Sequence, residues 1–204
     1  MGTKIKLCGL TREEDAAAAT ELMPDYVGFV MAPRSRRYVA PEQAARLRRL
    51  LPAQIQAVGV FVDEEPETVA ELLERGIIDL AQLHGREDRA YIKRLLELTD
   101  RPLIQAFQVQ DSRDVEAAMG SPAHYILLDA GPGGTGNAFD WSLIRDVERP
   151  YFLAGGLHPG NVAAGIARLR PYGVDVSSGI ETEGRKDPEK MAAFVEAVRS
   201  AKGL

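Results

Sequence analysis

Eight times along the 204-residue chain, a short β-branched or apolar run is followed by a loop and then by a stretch of helical character. This alternation constrains the fold more than any other feature, because strands joined by crossover helices pair in parallel. The runs predict strands at Lys4–Cys8, Tyr26–Met31, Gln56–Val62, Leu80–Leu83, Leu103–Val109, Tyr125–Asp129, Tyr151–Ala154 and Gly173–Ser177. Helices are expected near Arg12–Met23, Pro41–Leu51, Pro66–Arg75, Asp88–Leu98, Arg113–Met119, Trp141–Arg145, Asn161–Leu169 and Pro188–Ala201. Thr11-Arg12-Glu13-Glu14 reads as a capping box, with Thr11 bonding the N3 amide and Glu14 reaching back. Asp187 caps the last helix ahead of Pro188. Gly76 stands where a left-handed residue ends the third.

An open, doubly wound sheet would satisfy the same alternation, but closure into a barrel is favoured. The units are short and even, and several strands keep polar residues on one face: Lys4, Lys6 and Cys8; Gln82 and His84; Asp175 and Ser177. A barrel can point such residues inward at its active-site end. An open sheet lies under helices on both faces and should be more apolar. No linker, low-complexity segment or charge run marks a second domain, so residues 1–204 read as a single (β/α)8 TIM-barrel domain of the phosphate-binding type.

Composition narrows the function classes. The net charge of −5 is unlike that of most nucleic-acid binders. No apolar run approaches the roughly 18–20 residues of a membrane span, and Lys4 and Lys6 interrupt the apolar residues that a signal peptide would need. A cytoplasmic protein is expected. The single cysteine, Cys8, can form neither an internal disulfide nor a cysteine-based zinc site. His84, His124 and His158 are too scattered to suggest a metal, so none is expected.

In such a barrel the chemistry sits at the carboxyl ends of the strands. Strand one ends at Cys8, followed by Gly9, with Lys6 two residues back on the same face. Cys8 reads either as a buried, inert thiol or as a base whose pKa the Lys6 ammonium lowers toward neutrality. Lys6 would need a partner inside a barrel. Strand eight neighbours strand one on closure, so an ion pair with Asp175 is expected beneath the site. Strand six ends at Asp129, which reads either as a turn cap or as a carboxyl raised by its apolar approach and able to act as a general acid. Gly131–Gly136 matches GxGxxG, but it follows the sixth strand and runs into no immediate helix. It reads as an active-site loop. Ala154-Gly155-Gly156-Leu157 and Ser177-Ser178-Gly179 suit the phosphate site that many barrels build after strands seven and eight. The Arg34–Tyr38 run supplies cations that could hold a carboxylate at the opposite end of a substrate.

Taken in order, these segments resemble the phosphoribosylanthranilate isomerase family. The resemblance runs through Lys6-Leu7-Cys8-Gly9-Leu10-Thr11, Val27–Val30 with Ser35–Tyr38, Val58–Val62, Gln82-Leu83-His84-Gly85, Leu127-Leu128-Asp129, Gly133–Gly136 with Phe139-Asp140-Trp141, Ala154–Leu157 and Val174–Glu181. It implies an Amadori rearrangement of N-(5′-phosphoribosyl)anthranilate to an open-chain aminoketose, without metal or organic cofactor. Asp129 matches the family's general acid and Cys8 its general base. Arg37 matches the arginine that binds the anthranilate carboxylate, and Gly155, Gly156, Ser178 and Gly179 fall in the phosphate loops. His84 joins the substrate-binding candidates. The partner implied is a small-molecule substrate, with the protein a monomer or homodimer that binds neither nucleic acid nor membrane. The sequence departs from the family in a short Asp129–Gly133 stretch and in Asn137, where the family often has lysine.

Other readings fit less well. A pentose-phosphate epimerase would call for metal-binding histidines, and an indole-glycerol-phosphate synthase for a lysine and glutamate set on other strands. An isomerase that also takes the histidine-pathway analogue would carry an aspartate in place of Cys8. A non-catalytic phosphate-ligand barrel stays open, because fold alone does not settle function.

Overall fold

A computed structural model describes residues 2–129, 141–144 and 147–201. Eight parallel strands close into a barrel in chain order: β1 (Lys4–Cys8), β2 (Tyr26–Val30), β3 (Gln56–Phe61), β4 (Leu80–Leu83), β5 (Leu103–Gln108), β6 (Tyr125–Asp129), β7 (Tyr151–Ala154) and β8 (Gly173–Val176). Among the described residues the helices are α1 (Glu13–Leu22), α2 (Pro41–Leu50), α3 (Pro66–Glu74), α4 (Arg89–Leu98), α5 (Ser112–Met119), α6 (Val162–Leu169) and α7 (Pro188–Ser200). None of them is long and apolar enough to cross a membrane.

The strand expectations hold to within a residue. Between β6 and β7 the described residues form only a 3₁₀ turn, Trp141–Leu143, where a helix was expected. Arg145, the Gly131–Gly136 loop and Asn137 lie outside the described residues. The start of α1 is a second correction. Thr11 and Glu14 do not form the cap. Buried Asp15 does, accepting from the Thr11 and Arg12 amides at 2.9 and 3.0 Å while its other oxygen pairs with the Arg12 guanidinium. A short carboxylate already held by a guanidinium reaches those amides at lower entropic cost than exposed Glu14. The other two caps are as expected. Asp187 accepts from the Glu189 and Lys190 amides ahead of Pro188, and Gly76 adopts a φ of +66° after α3.

Two apolar layers hold the barrel. The larger lies between strands and helices, where Leu7, Phe29, Phe61, Leu83 and Leu153 point outward onto helix residues such as Leu73, Ile92 and Phe194. The smaller fills the interior with Tyr26, Val58, Leu80, Ile104, Leu127, Phe152 and Ala154. At the amino-terminal end Phe152 packs edge-on to Tyr26, Tyr125 and Tyr172, and the Tyr26 and Tyr172 hydroxyls meet at 3.1 Å. Lys4 sits at this end, paired with Asp25 at 2.7 Å, rather than inside with Lys6. The aromatic plug closes the bottom of the barrel and leaves polar side chains for its upper half.

Beyond β8 the chain forms an unexpected two-stranded hairpin of β9 (Glu181–Thr182) and β10 (Arg185–Lys186). Its two-residue turn, Glu183-Gly184, has positive φ at both positions, which matches the right-handed twist of the flanking strands. Glu181 faces Lys186 across the ladder.

Candidate active site

The carboxyl ends of the strands surround a cavity of about 310 Å3. It is lined by Cys8 from β1, Arg37 from the loop after β2, His84 after β4, Asp129 at the end of β6, Gly155 and Gly156 after β7, and Ser178 after β8. Gly179 follows directly. A wider surface hollow of about 460 Å3 lies by the loops after β3 and β4, but its carboxylates already engage Arg86 and backbone amides. Size therefore does not locate the chemistry, and the composition of the barrel mouth does.

At the cavity floor, which Asp175 lines, closure brings Lys6 beside Asp175 in register, and their charged atoms meet at 2.9 Å. The expected ion pair is present, and Lys6 is wholly buried. Burial alone would lower the Lys6 pKa, but Asp175 and the Cys8 sulfur outweigh it and hold the ammonium charged. Lys6 also donates to Gln82 Oε1 at 2.8 Å.

Cys8 is buried above this pair. Burial pushes its thiol above the ordinary range, and the Lys6 ammonium opposes that shift without overcoming it. Of the two readings of Cys8, the one in which Lys6 lowers the thiol toward neutrality is not met, because loss of solvation, with Asp175 adding to it, outweighs the nearby lysine charges. The space for the sulfur comes from Gly28, which pairs with Cys8 across β1 and β2. A Cβ there would lie 2.6 Å from the Cys8 sulfur. Gly9, with φ +82°, makes comparable room for the Arg37 side chain.

Arg37 reaches the cavity from a carboxylate clamp. Its Nε and one terminal nitrogen donate to the two Glu181 oxygens at 2.6 and 2.9 Å. Arg36 and Lys186 add bonds to the same carboxylate at 2.8 and 2.7 Å. Burial alone would raise the Glu181 pKa, but the Arg37 and Lys186 bonds outweigh it and hold the carboxyl below the usual range. Lys186 is pulled down by burial, which its single carboxylate does not offset. The asymmetry is physical: one carboxylate collects three cations, so the anion is the more firmly held partner. Neither Glu181 nor Lys186 had an expected role. Their partners lie up to 145 residues away in sequence, and Glu183-Gly184 is a weak hairpin signal, so no local pattern marks them.

On the rim after β7, Gly155 and Gly156 have φ values of +87° and +61°. Gly179 packs so tightly on the Leu157 carbonyl that a Cβ would overlap it. The loops after β7 and β8 thus fit together only with hydrogen at that position. Across the cavity, His84 Nε2 lies 3.5 Å from Asp129 Oδ2. Among the described residues no group of three or more His, Cys, Asp or Glu side chains is placed to hold a metal ion.

A closed barrel that gathers a thiol, a carboxylic acid, an arginine and glycine-rich rim loops at the carboxyl ends of its strands defines a (β/α)8-barrel enzyme. The chain belongs to the N-(5'-phosphoribosyl)anthranilate (PRA) isomerase family, whose model matches residues 5–197. An N-(5'-phosphoribosyl)anthranilate isomerase of Desulforudis audaxviator is 45% identical over 207 residues, covering 98% of this chain and 99% of the relative. A solved phosphoribosyl anthranilate isomerase in complex with reduced 1-(o-carboxyphenylamino)-1-deoxyribulose 5-phosphate is similar at a TM-score of 0.86 and 39% identity, covering 97% of this chain and 98% of that one. Monomers generated from the dimeric Thermotoga maritima enzyme are similar at a TM-score of 0.84 and 38% identity, covering 97% and 99%. The chain is accordingly an aldose–ketose isomerase of tryptophan biosynthesis.

Proposed function

We propose that Asp129 and Cys8 carry the Amadori rearrangement of N-(5′-phosphoribosyl)anthranilate as general acid and general base. The observation that supports this reading is their convergence, from β6 and β1, on one cavity that also holds Arg37 and both glycine-rich rim loops. Gly155, Gly156, Ser178 and Gly179 take the phosphate at one end, and Arg37 takes the anthranilate carboxylate at the other. Two anionic handles then fix the sugar between acid and base. The glycosylamine shares its nitrogen with an aromatic ring, so the anthranilate lies toward the apolar wall formed by Val30, Val60 and Val62.

Asp129 donates its proton to the furanose ring oxygen. The C1′–O bond breaks, and the nitrogen lone pair forms the C1′ iminium. Cys8, in its thiolate form, then removes the C2′ proton and becomes the thiol, and the C–H electrons form the C1′–C2′ double bond while the nitrogen regains its pair. The resulting enolamine tautomerises: C1′ gains a proton, the C2′ hydroxyl loses one, and the ketone results. Each step moves only protons and one ring bond, so an acid and a base suffice. The iminium also brings a positive charge beside Cys8, which joins Lys6 in favouring the thiolate at the step that needs it. His84 presents its ring to Asp129 and to the sugar. The protein works as one barrel domain, as monomer or homodimer, in the cytoplasm.

The test follows the change in anthranilate-conjugate fluorescence when purified protein meets freshly made substrate. Cys8→Ala and Asp129→Asn are each expected to lower turnover by ~10²–10⁴-fold, the share of one general acid or base. Near-normal turnover in either variant removes that residue from the mechanism. No turnover in the parent, with phosphate ligands still bound, moves the reading to a binding barrel.

A further inference from the structure

A chain of polar side chains runs from Lys6, beneath the cavity, through the lining residues Gln82 and His84 to Asp129. Lys6 Nζ donates to Gln82 Oε1 at 2.8 Å, and Gln82 Nε2 lies 2.9 Å from His84 Nδ1. On the other edge of the ring, His84 Nε2 lies 3.5 Å from Asp129 Oδ2. Lys6 and Gln82 are shielded from water, with 0% and 1% of their surface exposed.

The chain has a polarity set at one end. An ammonium has only hydrogens to offer, so the oxygen of the Gln82 amide must face Lys6. The amide nitrogen then faces His84, and it too can only donate. Nδ1 is therefore the acceptor, and the ring hydrogen sits on Nε2, the nitrogen on the Asp129 side of the ring. The amide orientation thus follows from the chemistry of the lysine head.

We propose that Gln82 is a positioning residue that transmits the polarity of the Lys6 ammonium to His84 and holds His84 as its Nε2–H tautomer against Asp129. The tautomer rests on the hydrogen-bond chain alone. Its catalytic consequence rests on the reading of Asp129 as the general acid. A proton on Nδ1 would set N–H against N–H, so the contact favours the ring that carries its one proton on Nε2. A cationic ring 3.5 Å away would stabilise the Asp129 carboxylate and oppose the protonated form that ring opening needs. An uncharged ring instead directs one N–H at Oδ2 and leaves Oδ1 for the proton that passes to the sugar. The Lys6–Asp175 pair, known here only as a buried ion pair under Cys8, thereby also sets the far side of the site.

Gln82→Glu tests this, because it keeps the shape and the Lys6 contact but offers Nδ1 an acceptor in place of a donor. Nitrogen NMR on protein labelled in histidine reads the tautomer, with His84 identified by the signals lost in His84→Asn. In the parent, Nδ1 is expected unprotonated and Nε2 protonated; in Gln82→Glu, Nδ1 gains the proton. The same variant is expected to lose about tenfold or more in kcat, part of the ~10²–10⁴-fold that a general acid supplies, with KM within about threefold of the parent. Gln82→Met, similar in length and without a polar group, serves if the glutamate variant fails to fold, and it is expected to abolish the single-tautomer signature. A parent His84 protonated on Nδ1, or a tautomer that neither substitution alters, overturns the proposal. An inverted tautomer with unchanged kcat overturns its catalytic consequence. Asp129→Asn separates the two readings, since normal turnover there removes the acid assignment and leaves the tautomer result standing.

Discussion

Replacing Glu181 with alanine removes the one carboxylate that binds Arg36, Arg37 and Lys186 together. The three cations do not weigh equally. Arg36 is 61% exposed, and its pair contributes little. Arg37 is 20% exposed, so its loss is screened in part, at about 1 kcal/mol. Lys186 is 2% exposed and would keep only the Ser177 carbonyl and hydroxyl as partners. Breaking such a buried pair costs about 3–5 kcal/mol. The lysine part has a ceiling, because an ammonium left alone can shed its proton. At pH 7 that relief costs about 4.6 kcal/mol from an ordinary lysine pKa near 10.4, and at pH 9 about 2 kcal/mol. The sign follows. A lysine whose folded pKa falls below its unfolded value binds fewer protons folded than unfolded between the two values, so stability rises with pH there. Glu181→Ala is therefore expected to lose about 4–6 kcal/mol at pH 7, the Arg37 and Lys186 parts together, and visibly less at pH 9. Urea unfolding at both pH values measures this, provided the slope with denaturant matches the parent. Glu181→Leu combined with Lys186→Met should recover much of the loss, because no buried lysine charge is then left unpaired. A loss under about 1 kcal/mol, or one independent of pH, would refute the description of the cluster as a buried clamp.

Two further outcomes bear on the site. Gly179→Ala forces a Cβ onto the Leu157 carbonyl and must push the two rim loops apart; inorganic phosphate binding, followed by calorimetry, is expected to weaken at least about tenfold, roughly 1.4 kcal/mol, with unchanged affinity excluding these loops as the phosphate site. The raised Cys8 pKa gives stability that is fully present below the unfolded thiol value near 8.5 and is lost as pH rises through the folded value. From about pH 8.5 to 10, before tyrosines titrate, parent stability should fall relative to Cys8→Ala by at most about 1.4 kcal/mol per pH unit. Parallel curves for the two proteins would show that burial does not shift the thiol. In the same range kcat/KM of the parent should climb with pH as thiolate accumulates.

The sequence alone determined the elements and the ends they present. Strand and helix periodicities repeat within a few residues, so the eight strands, most helices and the strand-end positions of Cys8 and Asp129 were all legible. The Lys6–Asp175 pair was legible too, because closure makes the first and last strands neighbours and a buried lysine requires a partner. Tertiary structure decided what surrounds each group. Gln82 reaches Lys6 from 76 residues away, and Glu181 reaches Arg37 from 144. Such partners are set by barrel register and loop paths, which leave no local pattern. The Cys8 thiol shows the same limit. Its charged neighbour can be read two residues back, but the amount of water it loses exists only once the barrel has closed, and that loss of solvation sets the direction of its shift.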